Sequence, residues 1–270
     1  ASHIWTLERR VIVPSGVTLT IPAGTIIKAT PGTGANATSL IIARGGTINA
    51  EGTADSPIIF TSTSDNISIG QSFGSSLSEK VRGLWGGLLI LGNAPCSFSG
   101  DVVEQQIEGI PASETNGLYG GSDPADNSGV LRYVSIRHGG AEIGEGNEIN
   151  GLTLGGVGTG TTIENIEVVG NVDDGIEFFG GTVNASGLLV WGQGDDGLDI
   201  DQAYAGTISN SMVILNEASD HALEIDGPEG SAPGRFTLDG LTLIGTNDEC
   251  APTGVDGEIA DYRKGATGDN

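Results

Sequence analysis

The chain has 270 residues, of which 46 are glycine and 10 are proline, and its 11 Lys and Arg against 35 Asp and Glu give a net charge of −24. With no Pro- or Ser-rich linker between compact halves, we expect one elongated domain over residues 1–270. So negative a chain excludes nucleic-acid binding and disfavours an anionic membrane surface, because both partners need a basic surface. Cations are the partners that this charge favours.

In chain order, the first predicted elements are short strands rich in β-branched residues. Val11–Val13 and Val17–Ile21 are strands, Pro22–Gly24 is a turn, and Thr25–Ile27 returns to strand. The next predicted strands are Leu40–Ile42, Thr47–Ile48 and Pro57–Phe60. We expect this region to cap and begin a solenoid.

Two long insertions follow, at about Thr61 to Arg82 and about Gly92 to Asn127. Both are rich in Gly, Ser and Asp, which predicts loops that leave the solenoid wall, and long loops often carry function. Around and after the insertions, apolar segments predict further strands at Leu84–Leu91, Val130–Ile136, Ile149–Leu154, Ile163–Val169, Leu188–Trp191, Ile208–Leu215 and Phe236–Ile244.

Three segments repeat one pattern at offsets of 22 and 25 residues: Asp173–Phe179, Asp195–Asp201 and Asp220–Asp226. Their apolar residues alternate with period two, which indicates strands. One coil of a parallel β-helix takes roughly this many residues, and equivalent strands stack at ~4.8 Å. The inward columns would be Ile176, Leu198 and Leu223, and Phe178, Ile200 and Ile225. We therefore expect an all-β fold, a parallel β-helix, right-handed by the general preference of parallel connections.

Three further motifs are LIIARGGTINAEGT at Leu40–Thr53, GLWGGLLILGNA at Gly83–Ala94 and DDGIEFFGG at Asp173–Gly181. These motifs resemble those of a group of large secreted bacterial β-helix surface proteins. Proteins of this group occur on cell surfaces and among exported proteins, typically without an assigned activity. The resemblance implies a secreted or cell-surface location and a structural or adhesive role, and it implies no reaction.

Stacked coils place the acidic residues of the repeat in columns. The columns are Glu177, Asp199 and Glu224, which point outward on the strands, and Asp173, Asp195 and Asp220 in the turns. Between Arg137 and Arg235 there are 17 acidic residues and no Lys or Arg. Two unit charges at ~4.8 Å repel by about 3–4 kcal/mol at an effective dielectric near 20, which is large beside a fold stability of about 5–15 kcal/mol.

Bound Ca²⁺ would offset this repulsion, because it takes oxygen ligands at about 2.3–2.6 Å and carboxylates one coil apart can share an ion. Asn171 or Gln193 could complete the ligand shell. Mg²⁺ fits less well because it demands a small octahedral shell, and no Cys and His cluster supports Zn²⁺. The alternatives are raised carboxylate pKa values or a solvated acidic face with diffuse counterions. The expected ligands are Asp173, Asp174, Glu177, Asp195, Asp196, Asp199, Asp201, Asp220, Glu224 and Asp226.

The same coils are also similar to polygalacturonase-type β-helix glycosidases. Asn171–Asp173 and Gly194–Asp196 match the Asn-x-Asp and Gly-Asp-Asp motifs of that family, whereas Asp220–Ala222 keeps only the histidine of Gly-His-Gly, and no Arg-x-Lys follows. This similarity implies an inverting glycosidase with one protonated and one ionised carboxyl group. The catalytic residues would be Asp196 as the acid, Asp173 and Asp195 as the bases, and His221 in an assisting role.

The preferred hypothesis is a non-enzymatic, extracellular or cell-surface adhesion module that binds Ca²⁺. Its partners would be polysaccharides or cell-surface molecules, and unpaired strand edges at the solenoid ends would allow end-to-end assembly into filaments. The alternative is a polysaccharide-cleaving glycoside hydrolase. A Ca²⁺-dependent lyase is less favoured, because it needs a basic residue near the ions.

Some features leave the cellular context open. Cys96 and Cys250 could form a disulfide or stay free. No apolar run is long enough to span a bilayer, so we expect no membrane insertion. The last residues before Asn270 are rich in Gly and Asp, from which we expect the natural chain to continue.

Overall fold

The computed structural model describes residues 3–143, 148–245 and 259–263, and within them the fold consists of short strands that stack in parallel into three faces. One face is a separate seven-stranded sheet, here called the first face. Its strands are β2 (Val11–Val13), β5 (Leu40–Ile42), β8 (Leu88–Leu91), β12 (Leu152–Gly155), β14 (Ile176–Phe179), β17 (Leu198–Asp201) and β20 (Leu223–Gly227).

The second and third faces are joined because two long strands, β11 (Gly129–Arg137) and β13 (Thr162–Val169), run across both. The other strands of the second face are β3 (Thr18–Ile21), β6 (Thr47–Glu51), β15 (Ala185–Ser186), β18 (Thr207–Ser209) and β21 (Thr237–Asp239). Those of the third face are β1 (Ile4–Leu7), β4 (Ile26–Ala29), β7 (Ile58–Ser62), β16 (Leu189–Trp191), β19 (Met212–Ile214) and β22 (Thr242–Ile244).

From β2 onward, the chain passes through the first, second and third faces in that order in each coil. Pairing joins each strand to its equivalent one coil away, as in Ile176 with Leu198 and Leu198 with Leu223. The inward residues of all three faces form one continuous apolar core. The predicted parallel β-helix is therefore confirmed.

The corner between the second and third faces shows how the sequence sets the coil. Five successive coils turn there through one residue with positive φ: Tyr133 (48°), Asn165 (56°), Gly187 (68°), Asn210 (50°) and Gly240 (69°). Gly and Asn tolerate this left-handed conformation best, so four of the five corners carry the residue types that the turn favours.

At the start of the chain, where we expected a cap, strands β1, β2 and β3 join the three faces as their edge strands. Among the described residues, no helix is long and apolar enough to cross a membrane; the helices present are 3-10 turns at Gly34–Asn36, Ser99–Asp101 and Thr115–Gly117. Cys96 is free, and burial raises the pKa of its thiol to about 12. Cys250 lies outside the described residues.

The two insertions lie against the solenoid instead of leaving its wall. Residues 61–82 contact the third face, where the Arg137 guanidinium donates to the Ser72 carbonyl at 2.8 Å. Residues 92–127, here called the covering loop, contain a short antiparallel pair, β9 (Gln105–Gln106) with β10 (Leu118–Tyr119). The covering loop packs Phe98, Ile107, Ile110 and Tyr119 on the outer side of the first face, against Ile41, Leu89, Leu91 and Phe179.

Candidate functional site

The outward-pointing residues of the first face change chemistry along the solenoid. One column of register partners runs from the N-terminal to the C-terminal coil as Ile12, Ile41, Leu89, Thr153, Glu177, Asp199 and Glu224. The backbone pairing is parallel throughout, yet the side chains switch from aliphatic to acidic at Thr153. The predicted alignment of Glu177, Asp199 and Glu224 is confirmed by this register.

The acidic end of this column forms the floor of a cavity of about 600 Å³ beside the covering loop. Gln105, Gln106 and Tyr119 of the covering loop supply polar wall groups, and none of the lining residues is Lys or Arg. Eleven of the sixteen lining residues are carboxylates: Glu108, Glu148, Asp173, Asp174, Glu177, Asp195, Asp199, Asp201, Glu224, Asp226 and Glu229.

The central carboxylates are buried, which the outward direction of their side chains did not predict. Asp174 and Glu177 are each 6% exposed and Asp199 is 7% exposed. Burial of a carboxylate is costly unless hydrogen bonds or a cation compensate for the lost water. The site is therefore an open acidic cavity whose central carboxyl groups are buried and whose rim, including Asp195 and Glu108, is exposed.

Hydrogen bonds from the preceding and the following coil satisfy part of this group. Asp174 Oδ1 accepts from the Asp196 backbone N–H at 2.9 Å, and the Asn150 side-chain amide donates to Glu177 Oε2. By contrast, Asp199 Oδ1 is buried without a donor from the backbone or from an amide or hydroxyl group. The Asp199 side chain has the Glu177 carboxyl group as a hydrogen-bond neighbour, which can donate only when it is protonated.

Burial and crowding raise the pKa values of the cavity carboxyl groups. The pKa values of Asp174 and Glu177 are well above the usual range. Burial is the main cause, and repulsion from the Asp199 carboxylate is the second. Burial and then the Glu108 carboxylate raise the pKa of Asp173 to about 7. Burial raises the pKa of Asp201 to about 7 as well. A bound cation would favour the ionised forms and reverse these shifts.

Two groups of three carboxylates could each hold a metal ion. One is Asp173, Asp174 and Asp195, and the other is Asp174, Glu177 and Asp199. In each group, one oxygen per residue lies within 4.8 Å of the others. Oxygens that share one cation at about 2.4 Å can be at most about 4.8 Å apart, so each group is compact enough to share an ion.

A family model described as a pectate-lyase-like β-helix domain matches residues 1–265. The chain belongs to this family. No curated protein and no solved structure gives a significant match. The match establishes the fold of this pectate-lyase-like β-helix domain and leaves its chemistry to be argued from the cavity.

Other residues that the sequence suggested as ligands lie elsewhere in this β-helix domain. Asn171 and Gln193 are fully buried, and neither lines the cavity. The Asn171 amide instead donates to the carbonyls of Ile149 and Asp174, at 3.1 and 2.8 Å. Asn171 Oδ1 and Gln193 Oε1 are buried without hydrogen-bond partners, but neither residue is among those that line the cavity.

Three predicted acidic ligands have different surroundings from the central group. Asp196 does not line the cavity, and its Oδ1 accepts from the His221 backbone N–H at 2.7 Å and lies 3.0 Å from the His221 ring. Asp220 borders a smaller adjoining space of about 370 Å³ that Asp173 and Asp195 also line. Asp226 lines the main cavity and pairs with Arg263 at 2.7 Å.

The sequence did not identify several groups that complete the cavity. Glu108 and Tyr119 come from the covering loop, Glu148 precedes β12, and Gln202 and Glu229 follow strands of the first face. None of them belongs to the repeat, so periodicity could not place them. The available signal was weaker: a long polar insertion adjacent in sequence to a strand of the first face.

Proposed function

We propose that this pectate-lyase-like β-helix domain is an extracellular or cell-surface structural and adhesion module that binds Ca²⁺ in its acidic cavity. The main support for this proposal is the buried group of Asp174, Glu177 and Asp199, since none of the residues that line the cavity is Lys or Arg. A fold that keeps such a group at neutral pH needs either protons or cations in the cavity.

The ligand chemistry favours Ca²⁺ among common cations. The cavity walls offer carboxylate and amide oxygens, and the described part of the cavity contains no Cys or His that would favour Zn²⁺. A space of about 600 Å³ leaves room for the 6–8 oxygen ligands of Ca²⁺, some of them water. Mg²⁺ demands a smaller, regular octahedral shell, which carboxylates on two stacked coils do not offer as readily.

The proposed consequence is that Ca²⁺ stiffens the C-terminal coils and the adjoining part of the covering loop. Glu177, Asp199 and Glu224 belong to three successive coils, so an ion between neighbouring members joins coils that otherwise repel. Glu108 brings the covering loop to the same cavity. A module with these properties would be rigid outside cells, where Ca²⁺ is abundant, and weaker without the ion.

The test is thermal unfolding of the protein with excess Ca²⁺ and with EDTA. We expect a higher Tm with Ca²⁺, since a ligand at 100 times its Kd adds about 2.7 kcal/mol to the free energy of unfolding. Asp199→Asn should lose most of this increase. The matched control is Asp239→Asn, an exposed aspartate at the end of β21 on another face, which should keep it.

An equal Tm in Ca²⁺ and EDTA, with no Ca²⁺ binding by calorimetry, would contradict the proposal. A gain of the same size with Mg²⁺ would contradict the assignment of Ca²⁺. Adhesion is measured separately, as Ca²⁺-dependent retention of the protein on polysaccharide-coated surfaces.

One observation favours a second candidate, a polysaccharide-cleaving hydrolase. Asp173, with a pKa of about 7, lies beside Asp195 where the two spaces adjoin, so one carboxyl group can be protonated while another is ionised. Asp196, the acid suggested by the polygalacturonase-like motif, is 3% exposed and off the cavity wall.

The hydrolase candidate is tested by a reducing-sugar assay on neutral and acidic glycans. The candidate predicts activity that Asp173→Asn abolishes and that Asp239→Asn leaves unchanged. Absence of activity on every glycan, or full activity in Asp173→Asn, would remove it.

A further inference from the structure

The two metal-sized groups of the cavity share one residue, and from this arrangement we infer that the cavity binds a pair of adjacent cations bridged by Asp174. This inference rests on the proposed function, which requires only that the cavity binds Ca²⁺. The first position is formed by Asp173, Asp174 and Asp195, and the second by Asp174, Glu177 and Asp199.

The backbone of the β-helix explains why Asp174 is common to both positions. Asp174 lies in the turn before β14, between Asp173 in the same turn and Glu177 on the strand. The next coil supplies one partner on each side, Asp195 from its turn and Asp199 from β17. A stacked pair of coils therefore presents two ligand triangles with one common vertex.

Hydrogen bonding leaves Asp174 free to bridge. Its Oδ1 accepts one N–H, from Asp196, and a carboxylate oxygen has two lone pairs. Its Oδ2 makes no side-chain hydrogen bond with the described residues. Asp174 can thus give an oxygen to each cation while the Asp196 N–H fixes the orientation of its side chain.

Charge balance favours two cations over one. The five residues of the two positions carry five negative charges when ionised, and Glu108, Glu148 and Glu224 line the same cavity. One divalent cation would leave a large uncompensated charge among the buried groups, whereas two nearly neutralise the five. The first position is more exposed, because Asp195 lies at the surface.

A separate observation points to a ligand at the second position. Asp199 is more than nine-tenths buried and lines the cavity, and its Oδ1 has no N–H or O–H donor other than a protonated Glu177 carboxyl group. Buried polar atoms are normally paired, so when Glu177 is ionised this oxygen needs a cation as its partner.

The first test is calorimetric titration of the EDTA-stripped and dialysed protein with Ca²⁺. We expect two ions per chain in the wild type. Asp195→Asn and Glu177→Gln should each reduce the count to one, and Asp174→Asn should weaken both positions by at least tenfold. Asp239→Asn, away from the cavity, should bind two ions. Circular dichroism spectra and thermal unfolding in EDTA verify that each variant is folded.

The outcomes separate this inference from the proposed function. One ion per wild-type chain would overturn the pair and leave Ca²⁺ binding intact. The pair would also be overturned if Asp195→Asn and Glu177→Gln both removed the only ion that the wild type binds. No binding at all would overturn both.

The second test measures whether the two ions are adjacent. Tb³⁺ replaces Ca²⁺ readily, and Tyr119 in the cavity wall can sensitise its luminescence. With mixed Tb³⁺ and Nd³⁺, the Tb³⁺ lifetime should shorten in the wild type, because lanthanides exchange energy only at short range. With mixed Tb³⁺ and La³⁺ it should not shorten. This shortening should disappear in Asp195→Asn and Glu177→Gln. If the wild type binds two ions but Nd³⁺ leaves its Tb³⁺ lifetime unchanged, the two ions are not adjacent and the inference is overturned.

Discussion

The N-terminal and C-terminal halves of the first face have the same pairing and the same apolar inner side, yet their outer sides differ. In the N-terminal half, Ile41 and Leu89 are covered by apolar residues of the covering loop. In the C-terminal half, Glu177 and Asp199 occupy the same column and line a polar cavity. The inner columns therefore specify the coil, whereas the outer column can carry either apolar side chains that pack or acidic side chains that line a cavity.

The two halves should also differ in what stabilises them. The apolar half buries its outer column against protein, so its contribution to stability is independent of added ions. The acidic half buries charge, so it should be stable only with protons or cations. Four substitutions or changes of condition test this difference.

Leu89→Ala should cost about 2–5 kcal/mol, because Leu89 is 1% exposed beneath the covering loop and truncation leaves a cavity. The cost should be the same in Ca²⁺ and in EDTA, as measured by urea unfolding. The control is Val103→Ala in the same loop, which is 65% exposed and should change stability by no more than about 0.5 kcal/mol. A cost below that of the control would show that the covering loop does not pack on this half.

Asp199→Leu makes the acidic half resemble the apolar half. In EDTA it should stabilise the protein by about 1–3 kcal/mol, since it removes a buried polar group whose Oδ1 lacks a donor and whose pKa burial and then Glu224 hold well above the usual range. The increase in stability on adding Ca²⁺ should disappear. Asp239→Leu, on an exposed site of the second face, should give neither effect. A destabilised Asp199→Leu in EDTA would mean that the carboxylate is compensated without a cation.

The acidic half should also respond to pH. Asp173 and Asp201 have folded pKa values of about 7, above the ordinary value near 4, so they stabilise the fold below pH ~4 and lose that contribution as pH rises through 7. In EDTA, Tm should therefore fall between pH 5 and pH 8, by about 2–4 °C for each kcal/mol lost. With Ca²⁺ the fall should shrink, because the ion replaces the protons. A Tm in EDTA that rises over this range would contradict the account.

The smallest effect concerns the contact between the covering loop and the acidic half. The Tyr119 hydroxyl donates to Gln202 Oε1 at 2.7 Å, in buried surroundings beside the cavity. Tyr119→Phe should cost about 0.5–1.5 kcal/mol and keep Ca²⁺ binding while reducing sensitised Tb³⁺ emission. Unchanged emission would show that Tyr119 is not the sensitiser. Tyr262→Phe, at a 67% exposed tyrosine, serves as the control.

The sequence allowed the solenoid and the acidic columns to be predicted because both follow from a repeat. Offsets of 22 and 25 residues, with alternating apolar positions, were enough to align Glu177 with Asp199 and Asp199 with Glu224. Each alignment depends only on local alternation and on stacking of equivalent strands.

The burial of this column could not be predicted, because it depends on the covering loop. Phe98, Ile107, Ile110 and Tyr119 are spaced irregularly, and no periodicity indicates which face they cover. The turn residues were ambiguous for a related reason. Alternation stops at a turn, so sequence could not show that Asn171 and Gln193 lie away from the cavity that Asp173 and Asp174 line.

The most direct test of the account is a crystal structure grown with Ca²⁺, with anomalous difference density to locate the ions. We predict two peaks in the cavity that share Asp174, one beside Asp195 and the other beside Glu177 and Asp199. An empty cavity with Asp199 still unpartnered at saturating Ca²⁺, or ions bound only on the outer surface of other faces, would contradict it.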